Sequence, residues 1–338
     1  MKYVALLFTL LPTLSWLSGL PWLGVLVAFG IFPLLEWLVG RADGPWSLAH
    51  RSALSGVNWG DTMPRVIAIA LLCQSLFFVV VVLPQASWAQ ALWLSGALGV
   101  VAGAIGITYA HELGHRRSEL DRMLSLAMLT HVAYGHYQIE HNRGHHRMAA
   151  SWEDPASARQ SENLWTFMWR YFPGVWHSGV ALSASANYPA WKRPAGLLAI
   201  YGAWVALAFV AFGAKSGVAV LIQAAVGLYL VVAVDYVEHW GLVRERVDGR
   251  LERMGPQHIW DCNNWVSDLI LINLPRHAHH HLSPSDGADQ LRRTSASPQM
   301  PTGYSGMVIL AAISPLFRRL MAPRLPAERT DAAPTVTA

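Results

Sequence analysis

Six long, almost uncharged apolar runs divide the chain: Val4–Leu20, Trp22–Val39, Val66–Leu83, Ala91–Ala110, Ala195–Gly213 and Gly217–Val234. At about 1.5 Å per helical residue, each reaches roughly the 30 Å of a bilayer's hydrocarbon core. A buried core helix accounts for any one of these runs but not for six. The pattern predicts an all-α integral-membrane protein, a bundle of six transmembrane helices. Successive runs pair through short links, first Pro21, then "PQASWAQ", then "AKS", whereas the other joins are long and charged. With both termini on one side, 24 of the 25 Lys and Arg residues fall there, and only Lys215 is opposite. The positive-inside rule makes that side the cytoplasm, which predicts a multi-pass membrane protein with a cytoplasmic helical cap.

The opening "MKYVALLFTLLPTLSWLSGL" lacks a clear small-x-small cleavage site and is expected to be retained as the first crossing. Residues 1–338 are expected to form a single membrane domain. Its cytoplasmic regions are 111–193 and 238–323, and a tail at 324–338 lacks apolar periodicity and is expected to be disordered. The stretch Ser305–Leu320 is short, contains Pro315 and ends in Arg318 and Arg319, so an interfacial or packing helix is expected there. Along the fourth run Gly96, Gly99, Gly103 and Gly106 share a face, which serves either close helix packing or a smooth substrate groove. Trp165, Trp169 and Trp176 are expected to anchor the cap at the interface.

Composition narrows the chemistry. The chain is 53% hydrophobic and 14% charged, with a formal net charge of +4. That balance suits an acidic headgroup surface or an acidic partner; no nucleic-acid module or basic stripe accompanies it. Cys73 and Cys262 have no CxxC spacing and provide neither a disulfide framework nor a thiolate site.

The histidines carry the function. Of fifteen, nine fall into recognisable spacings. "HELGH" puts His111 and His115 at i and i+4 on one helical face. "EHNRGHH" supplies His141, His145 and His146, and "EHWG" supplies His239 at the end of the sixth run. In "LPRHAHHH", His277, His280 and His281 follow the i, i+3, i+4 pattern, while His279 points elsewhere. Neutral imidazole is a good ligand for Fe, Zn, Cu and Ni, and an ion offsets the cost of burying so many polar rings. Nine rings are too many for one ion, so two ions with four or five nitrogens each are expected. Glu112, Glu140 and Glu238 each adjoin a ligand candidate and either orient a ring or cap a helix. Spacing alone does not select the metal, and "HELGH" is also the HExxH pattern of zinc proteases. An intramembrane protease would leave seven of the nine histidines unused. His50, His131, His136, His177 and His258 match no cluster and are expected to be ordinary polar or structural residues.

The ordered set "HELGHRRSELDR", "YGHYQIEHNRGHHRMAASWEDPASAR", "DYVEHWGL", "LPRHAHHH" and "PTGYSGM" resembles the bacterial integral-membrane alkane monooxygenases (alkane hydroxylases). These belong to the histidine-box superfamily of membrane desaturases and xylene monooxygenases. The resemblance implies a non-haem di-iron enzyme that uses O2 to hydroxylate the terminal C–H of an alkyl substrate, an n-alkane to a primary alcohol. The alternatives within the superfamily are an alkyl-aromatic methyl hydroxylase and a fatty-acyl desaturase. Carried across, the family's ligands fall on His111, His115, His141, His145, His146, His239, His277, His280 and His281. Electrons would come from a separate rubredoxin or ferredoxin and an NAD(P)H-dependent reductase. The chain departs from the family at Pro275 (usually Gln), Ala278 and His279 (usually Ser-Asp), Asp235 (usually Asn), Trp240 (usually Tyr) and Arg116 (usually Lys). Of these, His279 bears most on metal poise, because it stands where an aspartate would accept a hydrogen bond from a ligand ring.

Overall fold

A computed structural model describes residues 2–40 and 62–326, and these are overwhelmingly helical. Chain order gives α1 (Lys2–Thr9), α2 (Leu11–Leu17), α3 (Leu23–Val39), α4 (Thr62–Gln85), α5 (Trp88–Gly114), α6 (Glu119–His131), α7 (137–148) and α8 (Leu164–Ser185). It continues with α9 (Pro194–Phe212), α10 (Ala214–His239), α11 (Trp265–Ile270), α12 (His277–Leu282), α13 (Tyr304–Ala312) and α14 (Ser314–Met321). Between α10 and α11, an exposed hairpin pairs β1 (Arg246–Val247) antiparallel with β2 (Arg250–Leu251). His50 and residues 327–338 lie outside the described residues.

Among the described residues, α4, α5, α9 and α10 are long and apolar enough to cross a membrane, and they carry the third to sixth apolar runs. The protein is therefore an integral membrane protein. The first two runs behave differently. Run one breaks at Leu10, because Pro12 has no N–H to offer and its ring would strike the carbonyl of Phe8 in a continuous helix. Run two forms α3, about 25 Å long at about 1.5 Å per residue, short of a full hydrocarbon core. Gly19, at φ +70°, turns the chain between them, and the Gly24 amide donates to Ser15 Oγ at 2.9 Å. A Cβ on Gly24 would lie 2.9 Å from Ala97 Cβ, so this hairpin presses closely on α5.

The two ends of the bundle are built differently. At one end, Ser87 caps α5 in a reciprocal capping box with Gln90, and Gly213, at φ +88°, turns α9 into α10. Lys215 Nζ donates to the Ala86 carbonyl at 2.5 Å, so these two turns lie side by side. At the other end, α5 and α10 run past their apolar stretches to His111 and His239. There the cap gathers α6, α7 and α11–α14. A short ion pair between Arg65 and Asp121 (2.5 Å) ties the start of α4 to α6.

Contact between α5 and α10 decides the role of two of the glycines. A Cβ on Gly99 would stand 2.6 Å from Val226 Cβ, and one on Gly103 would stand 2.9 Å from Gly227 Cα. Real side chains do not come so close, so these positions serve helix packing. Gly103 also lines a cavity, so packing and substrate-groove readings meet at this one residue. The expected helix over Ser305–Leu320 divides at Ile313 into α13 and α14, and α13 buries Tyr304, Met307, Val308 and Ala311. Arg324, where the tail was expected to begin, still closes a helical turn over Ala322–Arg324. Trp165 and Trp169 are exposed on α8, as interface anchors would be.

Overpacking at the α5–α10 contact should cost about 1–3 kcal/mol. Gly103→Ile is expected to lower the unfolding temperature in detergent, followed by tryptophan fluorescence. Gly202→Ala, where an added Cβ meets nothing within 4 Å, is expected to leave it unchanged.

Candidate metal centre

Four segments bring nine imidazoles together at the cap end of the bundle. His111 and His115 come from the end of α5, His141, His145 and His146 from α7, His239 from the last residue of α10, and His277, His280 and His281 from α12. They form two adjoining groups. His111, His115, His141, His146 and His280 make one, and His145, His239, His277 and His281 make the other; within each group the ligand atoms lie within 4.8 Å of one another. His115 and His146 are half-buried, and the other seven are buried.

The adjacent-histidine pairs explain the division. His145 turns to the four-ring group and His146 to the five-ring group, and His281 and His280 divide the same way. In α7 a π-turn over His141–His145 shifts the register, so His141 and His145 serve different groups despite their i, i+4 spacing. In α12, His277 and His281 face one group and His280 the other, so the shared helical face expected there splits between two centres. His146 and His281 touch across the boundary, with ring centroids 4.6 Å apart.

The ring nitrogens face one another. His111 Nε2 lies 2.7 Å from His141 Nε2, His146 Nε2 lies 3.0 Å from His141 Nε2 and 3.3 Å from His115 Nε2, and His280 Nε2 lies 3.1 Å from His146 Nε2. In the second group, His281 Nε2 and His277 Nε2 are 3.0 Å apart, while His145 Nε2 and both nitrogens of His239 have no hydrogen-bond partner among the described residues. A neutral imidazole has one N–H and one lone pair, so such sets cannot satisfy themselves by hydrogen bonding. A cation at the centre of each group satisfies all the lone pairs together. Burial holds His115 down at about 4 and pushes His141, His146, His277, His280 and His281 well below the ordinary value, leaving them neutral as ligands must be. The residues present thus fit a pair of metal ions.

His145 differs. Burial lowers its pKa as well, but the Asp154 carboxylate 2.9 Å from Nδ1 outweighs that and raises it to about 9. Asp154 fixes the proton on Nδ1 and aims Nε2 at the second group, the carboxylate–histidine arrangement that orients metal ligands. Asp154 also accepts from Ser157 Oγ at 2.6 Å and from the Ala156 amide at 3.1 Å. Sequence reasoning assigned it no role, although it sits in "EDPASAR", eight residues after His146.

The three glutamates prove unequal. Glu112 pairs with Arg116 (2.9 Å) and accepts from the Ala288 amide, and Glu140 accepts from Ser178 Oγ; neither hydrogen-bonds a box histidine. Glu238 Oε2 lies 3.2 Å from His277 Nε2, and its Oε1 accepts a 2.5 Å hydrogen bond from the Tyr304 hydroxyl. His279 belongs to neither group. His131 stands outside both groups and closes a network with Gln223 (2.7 Å) and Ser75 (2.9 Å).

Both groups open onto an apolar cavity of about 110 Å³. Phe8, Phe29, Val100 and Val231 line it within the bundle, and His111 and His277 stand at its cap end, beside Glu238 and Tyr304.

These features define a class: a helical membrane protein with two adjoining polyhistidine centres at one end and an apolar cavity leading to them. Residues 86–310 match the family described as fatty acid desaturase, and the chain belongs to that family. An alkane 1-monooxygenase of Pseudomonas putida is 36% identical over 247 residues, covering 71% of this chain and 61% of that protein. The chain thus matches about three fifths of that relative's length. Alkane 1-monooxygenases 2 and 1 of Pseudomonas aeruginosa are 33% identical over 317 residues and 34% identical over 321 residues. Those matches cover 90% and 89% of this chain and 84% and 82% of the relatives.

If the two groups hold separate ions, His280→Ala should abolish normal metal loading, whereas His279→Ala should leave it largely intact. Elemental analysis of the purified variants compares them, and equal losses would overturn the assignment in that segment. Asp154→Asn should weaken retention of the second ion about 10–100-fold in a chelator competition.

Proposed function

We propose that the chain is a non-haem di-iron monooxygenase that hydroxylates the terminal carbon of a hydrophobic alkyl substrate, an n-alkane to a primary alcohol. The observation that carries this reading is the meeting of the nine-imidazole cluster with the apolar cavity at His111 and His277. Likeness to the alkane monooxygenases supports iron and an alkane among the chemistries that such a cluster allows.

All nine histidines serve as ligands, five to one ion and four to the other. When bound, an iron pair supplies O2 activation: one oxygen atom enters the C–H bond, and the other leaves as water with two electrons and two protons. The chain's residues set up that reaction. The walls of the cavity exclude water and align the alkyl chain so that its terminal methyl meets the cluster. A substrate already dissolved in lipid gains far less than the about 0.8 kcal/mol per methylene that transfer from water would give. Selectivity therefore comes from the shape and depth of the cavity. Tyr304 and Glu238 hold a proton at the inner end of the cavity, within reach of His277.

In this reading the α1–α3 hairpin completes six crossings of a single domain in the bacterial inner membrane. Both termini and the metal centre lie on the cytoplasmic side, where 24 of 25 Lys and Arg residues gather. The chain has no flavin, haem or four-cysteine iron motif, so electrons come from a separate rubredoxin supplied by an NAD(P)H-dependent reductase. Rubredoxins are typically acidic, and the basic face steers one in.

Reconstitution with a rubredoxin, its reductase and octane should give 1-octanol in step with O2 consumption; O2 uptake without alcohol would contradict the proposal. Val100 lines the cavity eleven residues before His111, about 16 Å along α5. Val100→Trp should shorten the longest alkane accepted while short alkanes and metal content persist, measured by gas chromatography of the alcohols.

A further inference from the structure

Two further cavities lie outside the alkyl cavity. A polar cleft of about 620 Å³ opens beside His115 at the cap end. Arg117, Arg122, Arg143 and Lys192 line it, together with Arg116, which Glu112 already pairs, against a single lining acid, Glu119. Arg117, Arg122 and Arg143 are exposed, and Arg117 and Arg143 meet no carboxylate among the described residues. Next to this cleft, an apolar groove of about 410 Å³ runs between α4, α6 and α9, lined by Leu72, Leu76, Ala127, Leu197, Ile200 and Trp204.

Cleft and groove are continuous. Met123 and Leu126 of α6 line both. Lys192 lies in the cleft and its neighbour Trp191 in the groove, with the ammonium 5.0 Å from the indole ring centre. From Leu197 to Trp204 the groove descends about 10 Å along membrane-spanning α9. That depth fits within one leaflet, about half of a hydrocarbon core of about 30 Å. Leu76 and Ile200 remain half-exposed along it, on helices whose surroundings are lipid.

The geometry points to a binding site for one anionic phospholipid, with its phosphate among the arginines of the cleft and an acyl chain in the groove. An excess of cations over a single acid selects a net negative headgroup over a zwitterionic one. A soluble acidic protein would meet the cations but leave the apolar groove unfilled, and so would free phosphate. The site is independent of the proposed oxidation chemistry and binds lipid whether or not the enzyme turns over.

Native mass spectrometry of the full chain, released from nanodiscs of equimolar phosphatidylglycerol and phosphatidylcholine, tests this. Wild type should retain phosphatidylglycerol preferentially. Arg122→Ala combined with Lys192→Ala removes two cations, each worth about fivefold, and should cut that preference by about 25-fold. Ala127 is exposed in the groove, so Ala127→Trp should fill it without disturbing the core. That variant should lose bound lipid of both kinds while keeping wild-type metal content. An unchanged preference in the double variant, or undiminished lipid retention in Ala127→Trp, would overturn the proposal. Displacement of the lipid by inorganic phosphate as readily as by added phosphatidylglycerol would show a bare anion site and overturn it too. So would a double variant that keeps its lipid but needs more of an acidic electron-carrier protein for half-maximal rate, because the cleft would then be a protein dock.

Discussion

Nine imidazoles, seven buried and two half-buried, turn their lone pairs toward two common centres, and the rest of the molecule makes that possible. In water such rings would be hydrated; here they are stripped of solvent, and their nitrogens meet at 2.7–3.3 Å with too few protons to pair. Only positive charge at each centre relieves that conflict. The ligands come from α5, α7, α10 and α12, elements far apart in sequence, so the relief is shared by the whole cap end of the bundle. Metal affinity and folding of the cap are therefore linked. The glycine contact between α5 and α10 contributes directly, because it sets the spacing of the two helices that end in His111 and His239.

A second constraint runs from the cluster into the membrane. The apolar cavity begins beside His111 and His277 and is walled by the same α5–α10 pair together with α3. Packing and access are thus handled by one set of helices. Gly103 illustrates the economy: its missing side chain lets α10 approach and also keeps the cavity wall flat. Polar groups are few in the cavity and concentrate at its inner end, where Glu238, held by Tyr304, faces His277.

Much of this was legible in the residues. Four apolar runs became four long helices because nothing in Val66–Leu83, Ala91–Ala110, Ala195–Gly213 or Gly217–Val234 breaks a helix from within. The first run is not one continuous helix, since length and hydropathy do not register the effect of Pro12 on the backbone; the break at Leu10 follows from the missing N–H and the ring. Spacing identified the nine histidines that converge and set His279 aside, but not their distribution. The i, i+4 rule assumes a regular α-helix, and the π-turn over His141–His145 rotates the second ring toward the other centre. Asp154 could not be found by periodicity, because it reaches His145 through a loop. The glutamates adjoining ligands in sequence were the more obvious candidates, yet Glu112 and Glu140 turn to other partners.

The central claim is that the chain cages two redox-active ions. Elemental analysis of the purified protein combined with a Mössbauer spectrum of iron-57-enriched material tests it most directly. The account predicts two irons per chain in distinguishable nitrogen-rich environments, one with five ring ligands and one with four. Stoichiometric zinc without iron, or a single metal atom per chain, would contradict it.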